Sequence, residues 1–422
     1  MLNSNINKML KRLSFRNTVA LLPKGYQLNQ DSQFAYISTA DDNNKHEALD
    51  ADQRSKNSSQ HSYNTREVSQ LLNEAATFKD ASNKDWMTTP YCNDIHLNKK
   101  EEKQFKVNPE STSVLLFPGQ GTIKVGMIKK YMHYPGAKEI FEVANEITGY
   151  NLLQLCLNGP QEKLNKTEFN QAATVVSSLV ALEKVRAENP KVLETCIAAA
   201  GYSIGEISAL IVSGAISFED GVRLAWARGK AMQYAADKVP QGMLSVSGTP
   251  KAKVIKACTK AEKWAMDIGI ENPICRIAIF LYTDSKILAG HAEALEYIEQ
   301  HKTQLGLYRL SRLPVSGAFH TPLMQPALKS VFRTLDSIEI NEPRCQVYSN
   351  YKGEPYSNLK KLKGYILKQM ISPAKWEQCI QYLYQRPEGT PFPQTYDIGS
   401  EGRMKTILKF INLKAYRSCT VI

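Results

Sequence analysis

The feature that most constrains the fold is a short apolar run that leads into a serine between two glycines, "ETCIAAAGYSIGEISAL" at residues 194–210. The run up to Gly201 indicates a strand, and the apolar residues after Ser203 recur with helical spacing. A glycine on each side lets the chain turn sharply and leaves the serine hydroxyl exposed. The G-x-S-x-G pattern therefore predicts either a nucleophilic serine on a strand–helix turn or a junction of small residues without chemistry.

The surrounding chain alternates short apolar segments with amphipathic helical segments. Residues 114–117 predict a buried strand, and "PGQG" at 118–121 predicts a tight turn after it. Alternation of this kind is typical of a largely parallel sheet with helices on its faces. From about 243 to 312 the order becomes β-α-β-β-α-β, which is typical of a ferredoxin-like unit. The sequence predicts an α/β fold: an α/β-hydrolase-like parallel-sheet large subdomain with an inserted ferredoxin-like small subdomain.

The first 110 residues differ from the rest in composition. Residues 1–30 contain five Lys and Arg residues among apolar ones and no acid, which is typical of a mitochondrial transit peptide, with a disordered basic tail as the alternative. We place the transit peptide at 1–25 and a disordered polar linker at 26–110, followed by one folded domain at 111–422. No uninterrupted apolar stretch is long enough for a membrane span.

The charge of the chain points to an acidic partner. The net charge is +12, and almost all of it belongs to residues 111–422. A basic surface favours an acidic protein or nucleic acid, or is merely solvated. Since no zinc finger or RNA-recognition signature is present, we expect no nucleic acid partner. The eight cysteines are scattered without ligand spacing, so we expect neither a metal site nor a disulfide framework.

A nucleophilic serine needs a base, and the folded part offers four histidines. His320 lies in "LPVSGAFHTPLM", where a loop is expected after an apolar segment, and it is either the base or a packed core histidine. His291 and His301 belong to the helix of the inserted unit and are expected to face solvent. His133 lies in a polar stretch.

Two further features fit acyl transfer. The backbone amides of Gln120, in the glycine turn, and Ile204, at the start of the helix, could stabilise an oxyanion. Arg228 lies on a mostly apolar helix and could pair with a substrate carboxylate. The alternatives are an ordinary turn and a surface arginine whose aliphatic stem is buried.

Several segments together resemble the acyltransferase family of malonyl-CoA:acyl carrier protein transacylases, in its mitochondrial form. They occur in family order over residues 112–412: "FPGQG", "GYSIGE", "ARGKAMQ", "LPVSGAFHTPLM", "VYSNYKGEPY" and "KQMISPAKWEQCI". Matches at several spaced positions are far more specific than G-x-S-x-G alone.

The resemblance implies a role for each matching residue. Ser203 would carry the malonyl group as an ester, and His320 would be its base and then the acid for the leaving thiolate. The amides of Gln120 and Ile204 would form the oxyanion hole. Arg228 would bind the malonyl carboxylate.

Two more positions follow from the same resemblance. Gln369 matches the glutamine whose main-chain carbonyl orients the histidine, and we group it with the substrate-binding residues. Phe319, in "GAFH", belongs to the segment that related enzymes use for malonyl rather than branched acyl groups. The resemblance implies no metal and no cofactor.

The expected partners are malonyl-CoA and an acidic acyl carrier protein, and the expected setting is the mitochondrial matrix, as a monomer. The expected activity is that of an acyl carrier protein S-malonyltransferase that supplies extender units for fatty acid synthesis. Two other functions stay open: an α/β-hydrolase-type thioesterase, and a non-catalytic relative that binds carrier protein or RNA.

The chain departs from the family pattern at two places. Tyr202 replaces the usual histidine before the serine. The usual E-[VI]-G-P-G near the C-terminus is replaced by "DIGSEG" at 397–402, which we expect to loosen or reshape that loop.

Overall fold

The segments predicted as strands form two separate sheets. The computed structural model describes residues 108–249 and 252–422. The predicted transit peptide at 1–25, and all but the last three residues of the predicted linker at 26–110, lie outside the described residues.

The strands of the described part, in chain order, are β1 (Ser113–Phe117), β2 (Cys196–Gly201), β3 (Gln241–Gly248), β4 (Cys275–Tyr282), β5 (Ser285–His291), β6 (Leu307–Arg312), β7 (Gln346–Ser349), β8 (Glu354–Pro355), β9 (Gln394–Asp397) and β10 (Cys419–Val421).

The α-helices of the described part are α1 (Ala137–Thr148), α2 (Leu152–Asn158), α3 (Gln161–Asn165), α4 (Thr167–Glu188), α5 (Lys191–Glu194), α6 (Gly205–Ser213), α7 (Phe218–Ala236), α8 (Val254–Asp267), α9 (Ala292–Gln300), α10 (Leu328–Asp336), α11 (Leu362–Ile371), α12 (Trp376–Tyr384), α13 (Arg403–Ile411) and α14 (Leu413–Arg417). Short 3₁₀ helices lie at Pro109–Ser111, Met127–Tyr131, Pro322–Ala327 and Leu359–Lys361.

The larger sheet has six strands in the order β10-β9-β1-β2-β7-β8. All neighbouring strands are parallel except β7 and β8, which are antiparallel. Every residue of β1 is buried, as expected for a strand covered by helices on both faces of a parallel sheet. The carboxyl ends of β1, β2 and β7 lie side by side, and in open α/β sheets ligands bind outside such ends.

Two helices of the large subdomain run through the core rather than over its surface. All nine residues of α6, the helix that follows the serine, are buried. The long helix α4 is buried along most of its 22 residues. A helix that is apolar on all sides belongs in the interior, so the start of α6 cannot shift without disturbing the core.

The smaller sheet has four antiparallel strands in the order β4-β5-β3-β6. With α8 and α9 it forms the β-α-β-β-α-β unit of a ferredoxin-like fold and encloses a hydrophobic cluster of its own. The predicted fold class is confirmed: a parallel-sheet α/β core carries a small antiparallel subdomain.

Backbone hydrogen bonds fix the small subdomain to the large one. Phe280 on β4 donates its N–H to the carbonyl of Ala374 at 3.0 Å, and Ala374 donates to Ala278 at 2.8 Å. Beside this contact the buried Lys286 and Glu377 form an ion pair at 3.7 Å. The chain that leaves β6 therefore reaches the large sheet from a fixed position.

The prediction that His291 faces solvent is wrong. His291 is 7% exposed, and its Nδ1 accepts the backbone N–H of Ile274 at 2.9 Å. It is the last residue of β5 rather than a residue of the helix, so it is enclosed by the sheet edge. His301 is only partly exposed, and its Nδ1 contacts the carbonyl of Tyr297 at 2.9 Å.

No helix in residues 108–249 and 252–422 combines the length and apolar character that crossing a bilayer requires.

Candidate active site

Ser203 lies on a strained turn between β2 and α6. Its φ is +55°, a value that non-glycine residues adopt rarely, and residues strained in this way cluster at functional sites. The turn brings the two flanking glycines into contact, since a Cβ on Gly201 would lie 1.9 Å from the carbonyl carbon of Gly205. The glycines are therefore required by the turn that presents the serine.

His320 is hydrogen-bonded to that serine. Its Nε2 lies 2.8 Å from the Ser203 hydroxyl oxygen, and its Nδ1 lies 2.6 Å from the main-chain carbonyl of Gln369. A carbonyl can only accept, so Nδ1 carries the proton and Nε2 is left to accept from the serine. The pair is arranged as a nucleophile and a base, with a carbonyl in the place of a third acid.

The environment keeps His320 neutral. The side chain is 1% exposed, and its own backbone has a φ of +62°. Burial lowers the pKa of His320, and the positive charge of Arg228 lowers it further, to about 3. The hydrogen bond to the Gln369 carbonyl raises the pKa but does not offset these two effects. At neutral pH the imidazole is therefore free to take a proton.

Arg228 is buried beside the serine, as its place on an apolar helix suggested. Its Nη1 donates to Gln171 Oε1 at 2.7 Å, and its Nη2 donates to Gln369 Oε1 at 2.9 Å and to the Ser203 hydroxyl at 3.4 Å. Within the described residues no carboxylate lies within 4.0 Å of it.

Burial lowers the pKa of Arg228 to about 10, and the charge of Glu206 opposes this effect, so the guanidinium stays charged at neutral pH. A buried cation held by neutral amides still has its charge available for an anion.

The two predicted oxyanion donors lie on the turns that follow β1 and β2. The Gln120 side chain is anchored by Thr167, to which it donates at 3.1 Å, and it accepts from Gln171 at 3.4 Å. Ile204 is buried directly after the serine. In the part of the chain that the structure describes, neither the Gln120 amide nor the Ile204 amide donates a backbone or side-chain hydrogen bond.

Phe319 precedes the histidine and is buried at 5% exposure. Its ring packs against Gly317, where a Cβ would lie 2.7 Å from a ring carbon. Tyr202, which replaces the usual histidine, stacks edge-on against Trp376 with centroids 5.5 Å apart. It packs the turn from behind and is no part of the serine–histidine pair.

Sequence reasoning missed two residues that hold this site. Asn350 accepts the backbone N–H of Ser203 at 2.7 Å and donates to the carbonyl of Gly201 at 2.8 Å. Glu206, three residues after the serine, accepts from Asn350 and Gln369 at 2.8 Å each. Both residues lie inside the segments that carried the resemblance. Their hydrogen-bond partners are more than a hundred residues away, however, and an asparagine or a glutamate in such a segment does not reveal a partner at that distance.

The loop at 397–402 is held by its own hydrogen bonds. Ser400 donates to the Asp397 carboxylate and accepts the N–H of Met404 at 3.0 Å, while the N–H of Lys405 donates to Asp397 at 3.0 Å. Burial raises the pKa of that carboxyl above its ordinary value. Ser400 and Asp397 therefore bind the start of α13.

Across residues 108–249 and 252–422, no cluster of three or more His, Cys, Asp or Glu side chains is placed to hold a metal ion.

Comparison with known proteins finds similar chains. Residues 114–389 match the family model described as acyl transferase domain. The chain is 45% identical over 312 residues to a probable mitochondrial malonyl-CoA-acyl carrier protein transacylase of Drosophila melanogaster, which covers 74% of this chain and 82% of the relative. It is 41% identical over 314 residues to the human mitochondrial malonyl-CoA-acyl carrier protein transacylase, over 74% and 80% of the two chains.

A solved structure shows the same fold. The crystal structure of a malonyl CoA-acyl carrier protein transacylase from Clostridium perfringens superposes with a TM-score of 0.64 at 30% identity. The match covers 74% of this chain and 93% of that one.

Proposed function

The chain belongs to the acyl transferase family, and from that premise we propose that it transfers a malonyl group from malonyl-CoA to the thiol of an acyl carrier protein through a malonyl-Ser203 ester. The observation that carries the proposal is the Ser203–His320 pair beside a buried arginine that has no described carboxylate within 4.0 Å. The activity is that of an acyl carrier protein S-malonyltransferase, an activity that supplies extender units for fatty acid synthesis.

The first half-reaction acylates the serine. His320 Nε2 takes the hydroxyl proton as the Ser203 oxygen attacks the thioester carbonyl. The oxyanion of the tetrahedral intermediate accepts from the amides of Gln120 and Ile204. When the intermediate collapses, the carbon–sulfur bond breaks and the imidazolium returns its proton to the coenzyme A thiolate.

The second half-reaction reverses these roles. The phosphopantetheine thiol of the carrier gives its proton to His320 and attacks the malonyl ester. The carbon–oxygen bond to Ser203 breaks, and the imidazolium protonates the departing serine oxygen. The proton on Nδ1 stays hydrogen-bonded to the Gln369 carbonyl throughout, which keeps the other nitrogen directed at the serine.

Arg228 selects the acyl group. Its Nη2 already lies 3.4 Å from the serine oxygen, so a carboxylate at the far end of a serine-bound malonyl group is within its reach. Gln369 and Gln171 hold the guanidinium by hydrogen bonds, and Phe319 is the buried residue directly before the base.

The localisation is inferred from the names of the relatives, and the nature of the carrier from the net charge of this chain. The relatives are mitochondrial proteins by name, and we place this one in mitochondria and in their matrix. The carrier we propose is acidic, since the excess positive charge lies on residues 111–422.

A thioesterase needs no buried cation beside its serine, and a binding protein needs no aligned base, so neither alternative accounts for the site.

The proposal is tested by incubating the full-length protein with malonyl-CoA and locating the adduct by mass spectrometry. We expect a malonyl group on the peptide that contains Ser203, its absence in Ser203→Ala, and its persistence in Ser208→Ala. Ser208 is a matched control because it is buried in α6, the helix that follows Ser203, and its hydroxyl has no hydrogen-bond partner within the described residues. No adduct in the wild type, or free malonate as the main product, contradicts the proposal.

A further inference from the structure

Glu206 is a buried carboxylate that the mechanism above does not use. It occupies the first turn of α6, where an acidic side chain ordinarily faces water and stabilises the helix N-terminus. Here it is 1% exposed. Burial of a carboxylate is unfavourable unless its oxygens are hydrogen-bonded. The groups that bind the Glu206 oxygens therefore indicate its role.

The Glu206 carboxylate accepts three hydrogen bonds. Oε2 takes the backbone N–H of Asn350 and the side-chain N–H of Gln369, each at 2.8 Å. Oε1 takes the hydroxyl of Tyr356. These partners come from three separate parts of the chain, and the carboxylate is the point at which they meet.

One of the partners controls the nucleophile. Asn350 bridges the strained turn, accepting from the Ser203 N–H at 2.7 Å and donating to the Gly201 carbonyl at 2.8 Å. Because its backbone N–H is bound by Glu206, the asparagine is fixed at both its backbone and its side chain.

The other partner controls the base and the cation. The main-chain carbonyl of Gln369 accepts a hydrogen bond from His320 Nδ1 at 2.6 Å, and its side-chain oxygen accepts one from Arg228 at 2.9 Å. Its side-chain N–H₂ donates to Glu206 and, at 3.1 Å, to the carbonyl of Ser203. An amide has one donor end and one acceptor end, so an acceptor at the position of Glu206 determines that the oxygen faces Arg228.

We propose that Glu206 is a positioning residue for malonyl transfer, which orients Gln369 and Asn350 and through them aligns the arginine and the serine turn. The inference rests on the proposed function, since it acts through the same nucleophile and base. It also explains why Arg228 remains charged without a direct carboxylate partner: the compensating charge lies one side chain away, behind Gln369, and leaves the guanidinium free to bind the substrate.

The test compares Glu206→Ala with Glu206→Gln in the full-length protein. The glutamine retains an acceptor for Asn350 and Gln369 and can donate to Tyr356, so we expect acylation of Ser203 within about 10-fold of wild type. The alanine removes the acceptor that Gln369 and Asn350 share, so both are held less firmly beside Arg228 and Ser203, and a misplacement of about 1 Å costs about 100-fold in acylation rate. We also expect it to reduce the preference for malonyl-CoA over acetyl-CoA, because the arginine loses its orientation.

A matched control separates positioning from stability. Glu183 is a buried carboxylate in α4, 7% exposed and paired with Arg186 at 3.0 Å, and it has no contact with the site. We expect Glu183→Ala to lower the melting temperature but to keep both the acylation rate and the malonyl preference while folded. If Glu206→Ala does not fold, Tyr356→Phe removes one of the three bonds, and we expect an acylation rate about 3- to 10-fold below wild type.

Three results would overturn the inference. They are an unchanged acylation rate in folded Glu206→Ala, an unchanged rate in Tyr356→Phe where the alanine variant is unfolded, and a loss in Glu206→Gln as large as in Glu206→Ala. Failure of the proposed function itself is recognised differently, since then the wild-type protein forms no malonyl-Ser203 at all.

Discussion

Arg228 is 1% exposed, and its terminal nitrogens are bonded to side-chain carbonyl oxygens of two glutamines and to the serine hydroxyl. Charged hydrogen bonds to a planar guanidinium favour a carboxylate over an uncharged group. We therefore propose that a single side chain, Arg228, determines the choice of acyl group.

We expect Arg228→Ala to lower kcat/KM for malonyl-CoA by about 100- to 1000-fold and that for acetyl-CoA by less than about 10-fold. Steady-state kinetics with both thioesters measure the difference. Lys230→Ala, an exposed change in the same helix, is the control and should affect neither substrate. Equal losses for the two thioesters in Arg228→Ala would refute its role as the carboxylate ligand.

His320 supplies a prediction about pH. Its pKa of about 3 means that the imidazole stays neutral from about pH 8 to about pH 5. Nitrogen-15 NMR of the labelled imidazole should show one protonated nitrogen, Nδ1, over that range. Removing the positive charge in Arg228→Gln should raise the pKa. A protonation midpoint near 6.5 in the wild type would contradict the buried, neutral base.

The same shift affects stability. The unfolded chain binds a proton at His320 near the ordinary pKa of 6.5, whereas the folded protein binds it only near 3. The contribution of this residue is therefore fully present above pH 6.5 and is lost as the pH falls toward 3.

Residue patterns predicted the candidate reactive groups that the structure brings together, but not the groups that hold them. Ser203, His320 and Arg228 were identified because a nucleophile, a base and a cation have recognisable neighbours in sequence. Glu206 looks like an ordinary first-turn acid, and Asn350 lies 147 residues from the amide it binds. Hydrogen bonds over such separations are decided by the fold and leave no local periodicity to detect.

At the scale of elements, the strand–turn–helix of the serine allows a test at Gly205. A Cβ there would lie 2.5 Å from the carbonyl oxygen of Pro118 and 2.7 Å from that of Phe117. Because α6 is buried along its whole length, it cannot move aside. We expect Gly205→Ala to reduce the free energy of unfolding in urea by about 3 kcal/mol and to abolish acylation.

Gly364→Ala is the matched control for that change. Gly364 lies in α11, and a Cβ built on it has no atom within 4 Å. The alanine should stabilise the protein by about 0.5 to 1 kcal/mol, because it lowers the conformational entropy of the unfolded chain and has a higher helix propensity than glycine. A Gly205→Ala protein as stable as the wild type would show that the turn tolerates a side chain.

The elements themselves were largely predictable. Apolar runs and helical periodicity located β1, β2 and both helices after the serine, because those patterns are local. The order of strands within the large sheet was not predictable in the same way, since β9 and β10 pair beside β1 from the far end of the chain. The misplaced His291 has a similar cause: the strand ends one residue later than the helical pattern suggests, and that residue is enclosed.

At the scale of the whole molecule, the two proposed reactants, malonyl-CoA and an acidic carrier protein, are anionic and the protein is basic. The net charge of +12 lies mostly on the part of the chain that contains the site, while the site itself contributes only Arg228 and Glu206. Attraction between exposed charges is screened by salt, whereas buried hydrogen bonds are screened much less. Salt should therefore separate docking of the carrier from the chemistry at Ser203.

We expect KM for an acidic acyl carrier protein to rise about 10-fold between about 50 and about 300 mM salt. Transfer from malonyl-Ser203 to free pantetheine, which has the same thiol but no net charge, should change less than about 2-fold over that range. Stopped-flow transfer from the preformed malonyl-enzyme to each acceptor measures both. If the carrier and pantetheine respond alike, the basic surface does not dock the carrier, because only an acceptor with a charged surface can lose electrostatic attraction when salt is added.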